Sequence, residues 1–221
     1  MKIRPILFST PMVKAILKGD KTQTRRIVKQ QPEQHHTAMC PATVLDGSGK
    51  FGYLYHAIDT KDNLFVKCPY GQKDDVLYVR ETWLPFDKSH IVDGQKYAYK
   101  ADSTADSESE EIRQDYIKAG YNYRWRSSLH MPKEAARLWL QIETVRIERL
   151  QDISQDDAFE EGVDWLKCPI RMDLPGSFYD YKAGYKDLWG SINGADSWNE
   201  NPYVWVVTFK KIDKPNLEEN A

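Results

Sequence analysis

The sequence predicts an α+β fold, a small mixed β-barrel with short helices inserted between its strands. Three observations lead there. Strand-like stretches are separated by turn chemistry such as Asp46-Gly47-Ser48-Gly49. Helical spacing is confined to short segments. Strand and helix also alternate too irregularly for βαβ units, which argues against a parallel sheet.

Taken in order, Pro5 to Ser9 holds the apolar run Ile6-Leu7-Phe8 and suits a buried strand. Thr10 before Pro11 reads as an N-cap followed by proline at the first helical position. Met12, Val13, Ile16 and Leu17 supply the helical period, and Gly19 stands where a terminator belongs. Thr22 to Val28 leaves that turn as a strand. Ala42 to Leu45 and Phe51 to Ile58 form a hairpin, and Val76 to Trp83 an alternating strand ending in Arg80-Glu81-Thr82-Trp83. Lys96 to Ala101 and Tyr121 to Arg126 read as a strand pair flanking an acidic run. Arg137 to Leu150 alternates over a long distance and reads as a bent strand. Ser154 caps a helix through Gly162, with Asp157 at the capping-box position. A last helix, Tyr179 to Ile192, carries Tyr181, Tyr185, Leu188 and Trp189. The chain then ends in a strand over Tyr203 to Ile212 and a charged, disordered tail over 214–221.

With 221 residues, 41% of them hydrophobic, the chain has enough apolar sequence for one domain, expected over 1–213. No apolar run approaches the ~18 residues of a membrane span. The opening MKIRPILFSTPM has no signal-peptide pattern, so the expected location is the cytoplasm. Cys40, Cys68 and Cys168, an odd set without CxxC spacing, predict neither a disulfide framework nor a zinc ribbon. Nothing in the spacing of His35, His36, Cys40 and Cys68 enforces a metal site, and no metal or cofactor is expected. A net charge of −2 does not fit a protein that coats nucleic acid through phosphate neutralisation. Any such role must be local. GxxxxGK[ST], HExxH and GxSxG sequences are absent, which removes the P-loop, zincin and hydrolase-elbow readings.

Attention falls on Gly19-Asp20-Lys21-Thr22-Gln23-Thr24-Arg25-Arg26, a run of polar and charged residues directly behind an apolar helix. On a strand, Thr22, Thr24 and Arg26 share one face and Gln23 and Arg25 the other, so Lys21 meets Thr24 only if the chain bends between them. From spacing alone a solvated basic turn and a ligand pocket are equally good readings.

The segment PILFSTPMVKAILKGDKTQTRRIV resembles the opening of phage- and prophage-type ASCH-domain proteins, members of the PUA-like superfamily with a GxKTxTxR hallmark. The resemblance continues in DVLYVRETW (75–83), LQDISQDDAFEEGV (150–163) and NPYVWVVTF (201–209), and spans nearly the whole chain. It implies a PUA-like barrel with two family-atypical insertions, about 30–67 and 85–128, and a cleft lined by the Lys21 turn and the helix of Glu161. It also implies RNA or a modified nucleoside as partner. A related bacterial branch hydrolyses N4-acetylcytidine with a Lys, a Thr three residues on and a Glu on a later helix. Those positions match Lys21, Thr24 and, beside Glu160, Glu161.

That chemistry is coherent. Threonine needs a neighbouring base, and lysine serves as one only with a lowered pKa, toward which Arg25, Arg26 and burial would push Lys21. Glu161 would protonate the leaving amine or hold Lys21. The alternative is a non-catalytic RNA-binding module in which Lys21, Arg25 and Arg26 hold a phosphate. A ribonuclease ranks third, for want of a framed pair of histidines. Thr22, Arg80, Glu81 and Trp83 complete the candidate ligand contacts. Trp83 is the expected pocket wall among Tyr78, Tyr97, Tyr99, Tyr123, Trp125 and Trp205, a set otherwise suited to the core or to base stacking.

Overall fold

The computed structural model describes residues 1–32, 36–43, 51–57, 64–85, 96–102, 117–118, 120, 124–171 and 178–215, the side chains of 36–43, 56–57, 171 and 178 excepted. These form, in chain order, β1 (Ile3–Leu7), α1 (Thr10–Lys18), β2 (Gln23–Ile27), β3 (His36–Thr43), β4 (Phe51–Ala57), β5 (Leu64–Lys67), β6 (Val76–Arg80), β7 (Trp83–Pro85) and β8 (Tyr97–Tyr99). They continue with β9 (Trp139–Arg149), α2 (Gln155–Glu160), β10 (Ile170–Arg171), β11 (Phe178–Tyr179), α3 (Tyr181–Asn193) and β12 (Tyr203–Ile212). No helix among them is long and apolar enough to cross a membrane.

The main sheet runs β1-β6-β9-β12-β2. β1 is parallel to β6, and the other neighbours are antiparallel. Among the described residues no ladder joins β1 to β2, so the α+β class stands and the closed barrel gives way to an open sheet. A side chain crosses the gap instead: Arg26 Nη2 donates to the Leu7 carbonyl at 2.7 Å, its guanidinium 5.2 Å from the centre of the Phe8 ring. One face of the sheet buries Ile6, Leu77, Leu140, Val207 and Phe209 against Val13 and Ile16 of α1. The other buries Leu150, Val204 and Val206 against Ala158 of α2 and Tyr185 and Trp189 of α3.

The β2–β12 pairing fixes which backbone groups of β2 are used. Phe209 N–H donates to Thr22 O at 2.8 Å and Val28 N–H to Tyr203 O at 3.0 Å, in register with Thr24↔Val207 and Arg26↔Trp205. Even-numbered residues therefore make the ladder bonds, and the N–H and C=O of Gln23, Arg25 and Ile27 point away from β12 toward the open edge.

Several elements differ from the sequence-based expectation. The helix expected to be capped by Thr10 starts there, with Ser9 as N-cap and no side-chain cap bond. β3, β4 and β5 form an antiparallel meander, and β5 was not expected. The hairpin turn 46–49 lies outside the described residues. This segment, expected as an appendage, contributes to the core: Tyr53, Tyr55, Val66 and Cys68 pack with Val28, Ile147 and Trp205. The expected strand Val76 to Trp83 is two strands, broken where Glu81 turns inward to Arg137. β8 pairs with β7, Trp83 opposite Tyr99, and Arg126 forms an isolated bridge to Trp83. Residues 121–123 and most of the acidic run lie outside the described residues. β9 does carry its bend. Thr208 pairs with Thr144 and Phe209 with Ile142, leaving Glu143 as the extra residue of a bulge.

Candidate functional site

Gly19 ends α1 in the left-handed conformation, φ 89°, and the chain reverses into Lys21. There it meets the end of α2. Lys21 and Glu161 form an isolated antiparallel bridge, and Thr22 N–H donates to Glu160 O at 2.9 Å. α2 is capped as expected, Ser154 Oγ accepting from Asp157 N–H at 3.0 Å, but it ends at Glu160, before the expected Gly162. The close approach depends on Gly162, at φ 77°, where a Cβ would stand 2.8 Å from Lys21 Cβ and 2.9 Å from Ala15 Cβ.

Lys21 is 2% exposed and Glu161 4%. Lys21 Nζ donates to Glu161 Oε2 and to the Glu161 backbone carbonyl, each at 2.8 Å. Burial lowers the Lys21 pKa, the Glu161 carboxylate opposes that shift, and the Arg26 and Arg25 cations add to it. Glu161 Oε1 accepts from Arg25 Nη1 at 3.1 Å, so one carboxylate holds two buried cations. Arg25 reaches further, from Nε and Nη2 to Glu148 Oε1 at 3.0 and 2.6 Å, and from Nη2 to Asp157 Oδ2 at 3.0 Å. Burial works against the charge on Arg25, but Glu161 and Glu148 outweigh it and raise its pKa. Gln23 orders the cluster, donating to Asp157 Oδ1 at 2.8 Å and Glu160 Oε2 at 2.6 Å while accepting from Arg25 Nη1 at 2.9 Å. Arg146 closes the network on Glu148 and Asp157, each at 3.0 Å.

Beside this network is a cavity of about 170 Å³, with Thr24, Arg25, Arg26, Ile27, Glu161, Tyr70, Tyr185 and Trp189 among its walls. Thr24 is 1% exposed, and its hydroxyl makes no hydrogen bond to any described residue. Tyr185 stands with the Arg25 guanidinium 6.0 Å from its ring centre, and burial, followed by the Glu161 charge, holds its phenol well above the usual value.

The expected triad therefore assembles in part. Thr24 and Glu161 line one cavity, and Lys21 is bound to Glu161. Lys21 itself lines a separate groove with Gly19, Thr22 and Glu160, and it makes no hydrogen bond to Thr24. Arg25 and Arg26 are cavity residues, whereas Thr22 is not. Arg80, Glu81 and Trp83 are absent from the cavity walls and serve another part of the fold. Arg80 donates to the backbone carbonyls of Met131, at 2.9 Å, and Leu129. Glu81, 1% exposed, takes a two-pronged pair from Arg137 at 2.9 and 3.1 Å. Trp83 packs among Val76, Met131, Ala135 and Trp139, so the expected pocket wall is a core residue.

Sequence reading missed Gln23, Glu148, Asp157, Tyr70, Tyr185 and Trp189 as site residues. Two signals pointed to some of them. Asp157, Glu160 and Glu161 recur at the spacing of one helix face, and Arg146 and Glu148 alternate on β9. Tyr70 lies in an irregular stretch, where no periodicity marks it.

Among the described residues no group of His, Cys, Asp and Glu is arranged to hold a metal. Cys68 and Cys168 are buried free thiols, and burial pushes Cys68 up to about 11. The side chains of His35, His36 and Cys40 lie outside the described residues. In comparisons with known proteins, no family model, no curated protein and no solved structure matches this chain.

Proposed function

We propose that this protein is an ASCH-type, PUA-like nucleoside-binding protein that hydrolyses the amide of N4-acylcytidine-type substrates at Thr24, Lys21 and Glu161. The observation that carries this reading is the Thr24 hydroxyl, without a hydrogen-bond partner among the described residues, in a cavity shared with Glu161, whose carboxylate holds a buried lysine of lowered pKa. An open sheet is compatible with the PUA-like reading, which rests on the motif resemblance; a fold alone would not carry an activity.

The chemistry starts from the 2.8 Å hydrogen bond between Lys21 Nζ and Glu161 Oε2. Moving its proton to the carboxylate gives a neutral amine and a carboxylic acid, the base and the acid that amide cleavage requires. As Thr24 Oγ adds to the acyl carbonyl, its proton passes to Lys21. The C–N4 bond then breaks, N4 takes the Glu161 proton, and cytidine leaves with the acyl group esterified to Thr24. Water adds to that ester, one water proton returns to the threonine oxygen, and the acid departs. Lys21 must turn toward Thr24 when substrate fills the cavity, a tightening common between free and substrate-bound sites.

The charge balance favours a neutral ligand over a phosphate. Lys21 and Arg25 are already held by Glu161, Glu148 and Asp157, which leaves Arg26, hydrogen-bonded to the Leu7 carbonyl, as the one cavity cation without a carboxylate partner among the described residues, too little for a run of RNA phosphates. At about 170 Å³ the cavity has room for one ring, as the ~150 Å³ that admits benzene does, so on this reading the base enters and the ribose stays outside.

The test is cytidine release from N4-acetylcytidine. Wild type releases cytidine at a rate that holds while the Lys21–Glu161 pair keeps its one proton and falls as pH climbs through the lowered Lys21 pKa, because the pair then retains its base but loses its acid. Thr24→Ala and Lys21→Ala each abolish release, and the double variant is no worse than either single one. No release from any acylated cytidine, with intact nucleoside binding, would leave the non-catalytic module as the reading.

A further inference from the structure

Thr24, Arg25, Arg26 and Ile27 are consecutive, and all four line the cavity. Side chains of a strand alternate between its faces, so no cavity on one face is lined by four neighbours in a row. Only a cavity along the strand's edge meets them all. The remaining walls agree, because they come from both layers. Met12 and Tyr70 pack with the core under α1, whereas Tyr185, Leu188 and Trp189 belong to the layer of α3 on the other face.

That edge is the open side of β2, toward which the ladder parity turns the N–H and C=O of Arg25 and Ile27. Neither residue's backbone has a hydrogen-bond partner there among the described residues. A buried peptide group without a partner is uncommon, because leaving it so costs about as much as a lost hydrogen bond. In an extended residue the N–H and C=O lie side by side and point the same way. Arg25 thus presents one donor and one acceptor in parallel, framed by aromatic rings from the two layers, to a space the size of a single ring.

We infer that the main chain of Arg25 reads the pairing edge of a pyrimidine, its N–H donating to N3 of cytosine and its C=O accepting from N4–H. The inference rests on the nucleoside reading of this cavity and names the element that selects the base. An N4-acylcytidine retains one N4–H, so substrate and product can make the same two hydrogen bonds. N4, the atom that carries the acyl group, is then held at the strand that carries Thr24. The Arg25 side chain has a separate task on the carboxylates of Glu148, Asp157 and Glu161.

The test uses the full chain and four nucleosides: cytidine, 3-deazacytidine, which lacks the N3 acceptor, N4,N4-dimethylcytidine, which lacks the N4 donor, and N4-methylcytidine, which keeps one. Cytidine and N4-methylcytidine are expected to bind alike. Each of the other two should bind about tenfold to a hundredfold more weakly, since each leaves one buried peptide group unpaired. In ¹⁵N-labelled protein the Arg25 amide resonance should move on adding cytidine, and its hydrogen exchange should slow. Equal binding of all four with no change at the Arg25 amide would overturn the main-chain assignment and leave the nucleoside cavity standing. No binding of any of the four would overturn both. Because binding is read without turnover, neither result depends on whether Thr24 is a nucleophile.

Discussion

Lys21 and Glu161, 140 residues apart in the chain, are joined twice over, Nζ donating to both the carboxylate and the main-chain carbonyl of Glu161 at 2.8 Å. The second bond holds the ammonium to the backbone of the turn after α2, independently of the carboxylate's rotamer. Arg25 takes the other oxygen of the same carboxylate but also holds Glu148 and Asp157, so Glu161 is the anion on which Lys21 above all depends.

Glu161→Gln should consequently be far worse than Lys21→Met. The first strands the buried Lys21 ammonium, at a cost of about 3 to 5 kcal/mol, while Arg25 keeps Glu148 and Asp157. The second leaves Glu161 with Arg25. In Glu161→Gln the Lys21 pKa falls further below its free value, so the unfolded chain binds the extra proton. Stability therefore rises as pH climbs from the folded pKa toward the unfolded one. Urea midpoints of both variants at pH 7 and pH 9 measure it: the deficit of Glu161→Gln shrinks at the higher pH.

Gly162→Ala tests the contact between the two turns. Its φ of 77° disfavours a side chain, and the added Cβ would press on Lys21 and Ala15. A loss of about 1 to 3 kcal/mol is expected. Thermal unfolding reads the loss, and the Lys21 side-chain resonances should shift with it. A variant of unchanged stability would mean that the approach of α2 to α1 is loose.

Asp157 bears on acid stability. Burial alone would raise its pKa, but the hydrogen bond from Gln23 and the Arg25 and Arg146 cations win and lower it below 3.8. A carboxylate depressed in the folded state stabilises above the unfolded pKa, and that stabilisation is lost as pH falls through the folded one. The stability curve of Asp157→Asn should accordingly be flatter than wild type below about pH 4. Parallel curves would show that the Asp157 hydrogen bonds do not favour its charged form.

Arg137→Met addresses the second buried pair. It strands Glu81, whose carboxyl burial already raises above its usual value even with Arg137 opposing. Protonation then favours the folded state, so the destabilisation is largest at neutral pH and shrinks as pH falls through the raised pKa. Cytidine affinity should stay unchanged, because Glu81 and Arg137 stand apart from the cavity walls. Loss of affinity in a folded variant would return Glu81 to the site.

The main elements were legible because they are locally encoded. α1 announces itself through Met12, Val13, Ile16 and Gly19, β12 through its continuous β-branched and aromatic run, and α2 through Ser154. What the sequence hid was which elements meet. Nothing local to Val76–Trp83 says that Glu81 will leave the strand for an arginine 56 residues on. Sheet closure depends equally on nonlocal pairing, and β1 and β2 end as opposite edges bridged by Arg26. At the site, Lys21, Thr24 and Glu161 stood out through motif resemblance. Their different surroundings did not, because these depend on Glu148, Asp157 and Tyr185 arriving from three distant segments.

The open edge of β2 also bears on how this chain avoids sticking to itself. A strand with free peptide groups invites a passing chain to pair with it. Here α3 flanks that edge with Leu188 and Ile192, and two adjacent arginines interrupt the strand's own apolar character. Damage to α3, whether by a helix-breaking substitution or by proteolysis, would therefore strip a guard from a strand already shaped to recruit another. Aggregation seeded at β2 should then precede global unfolding.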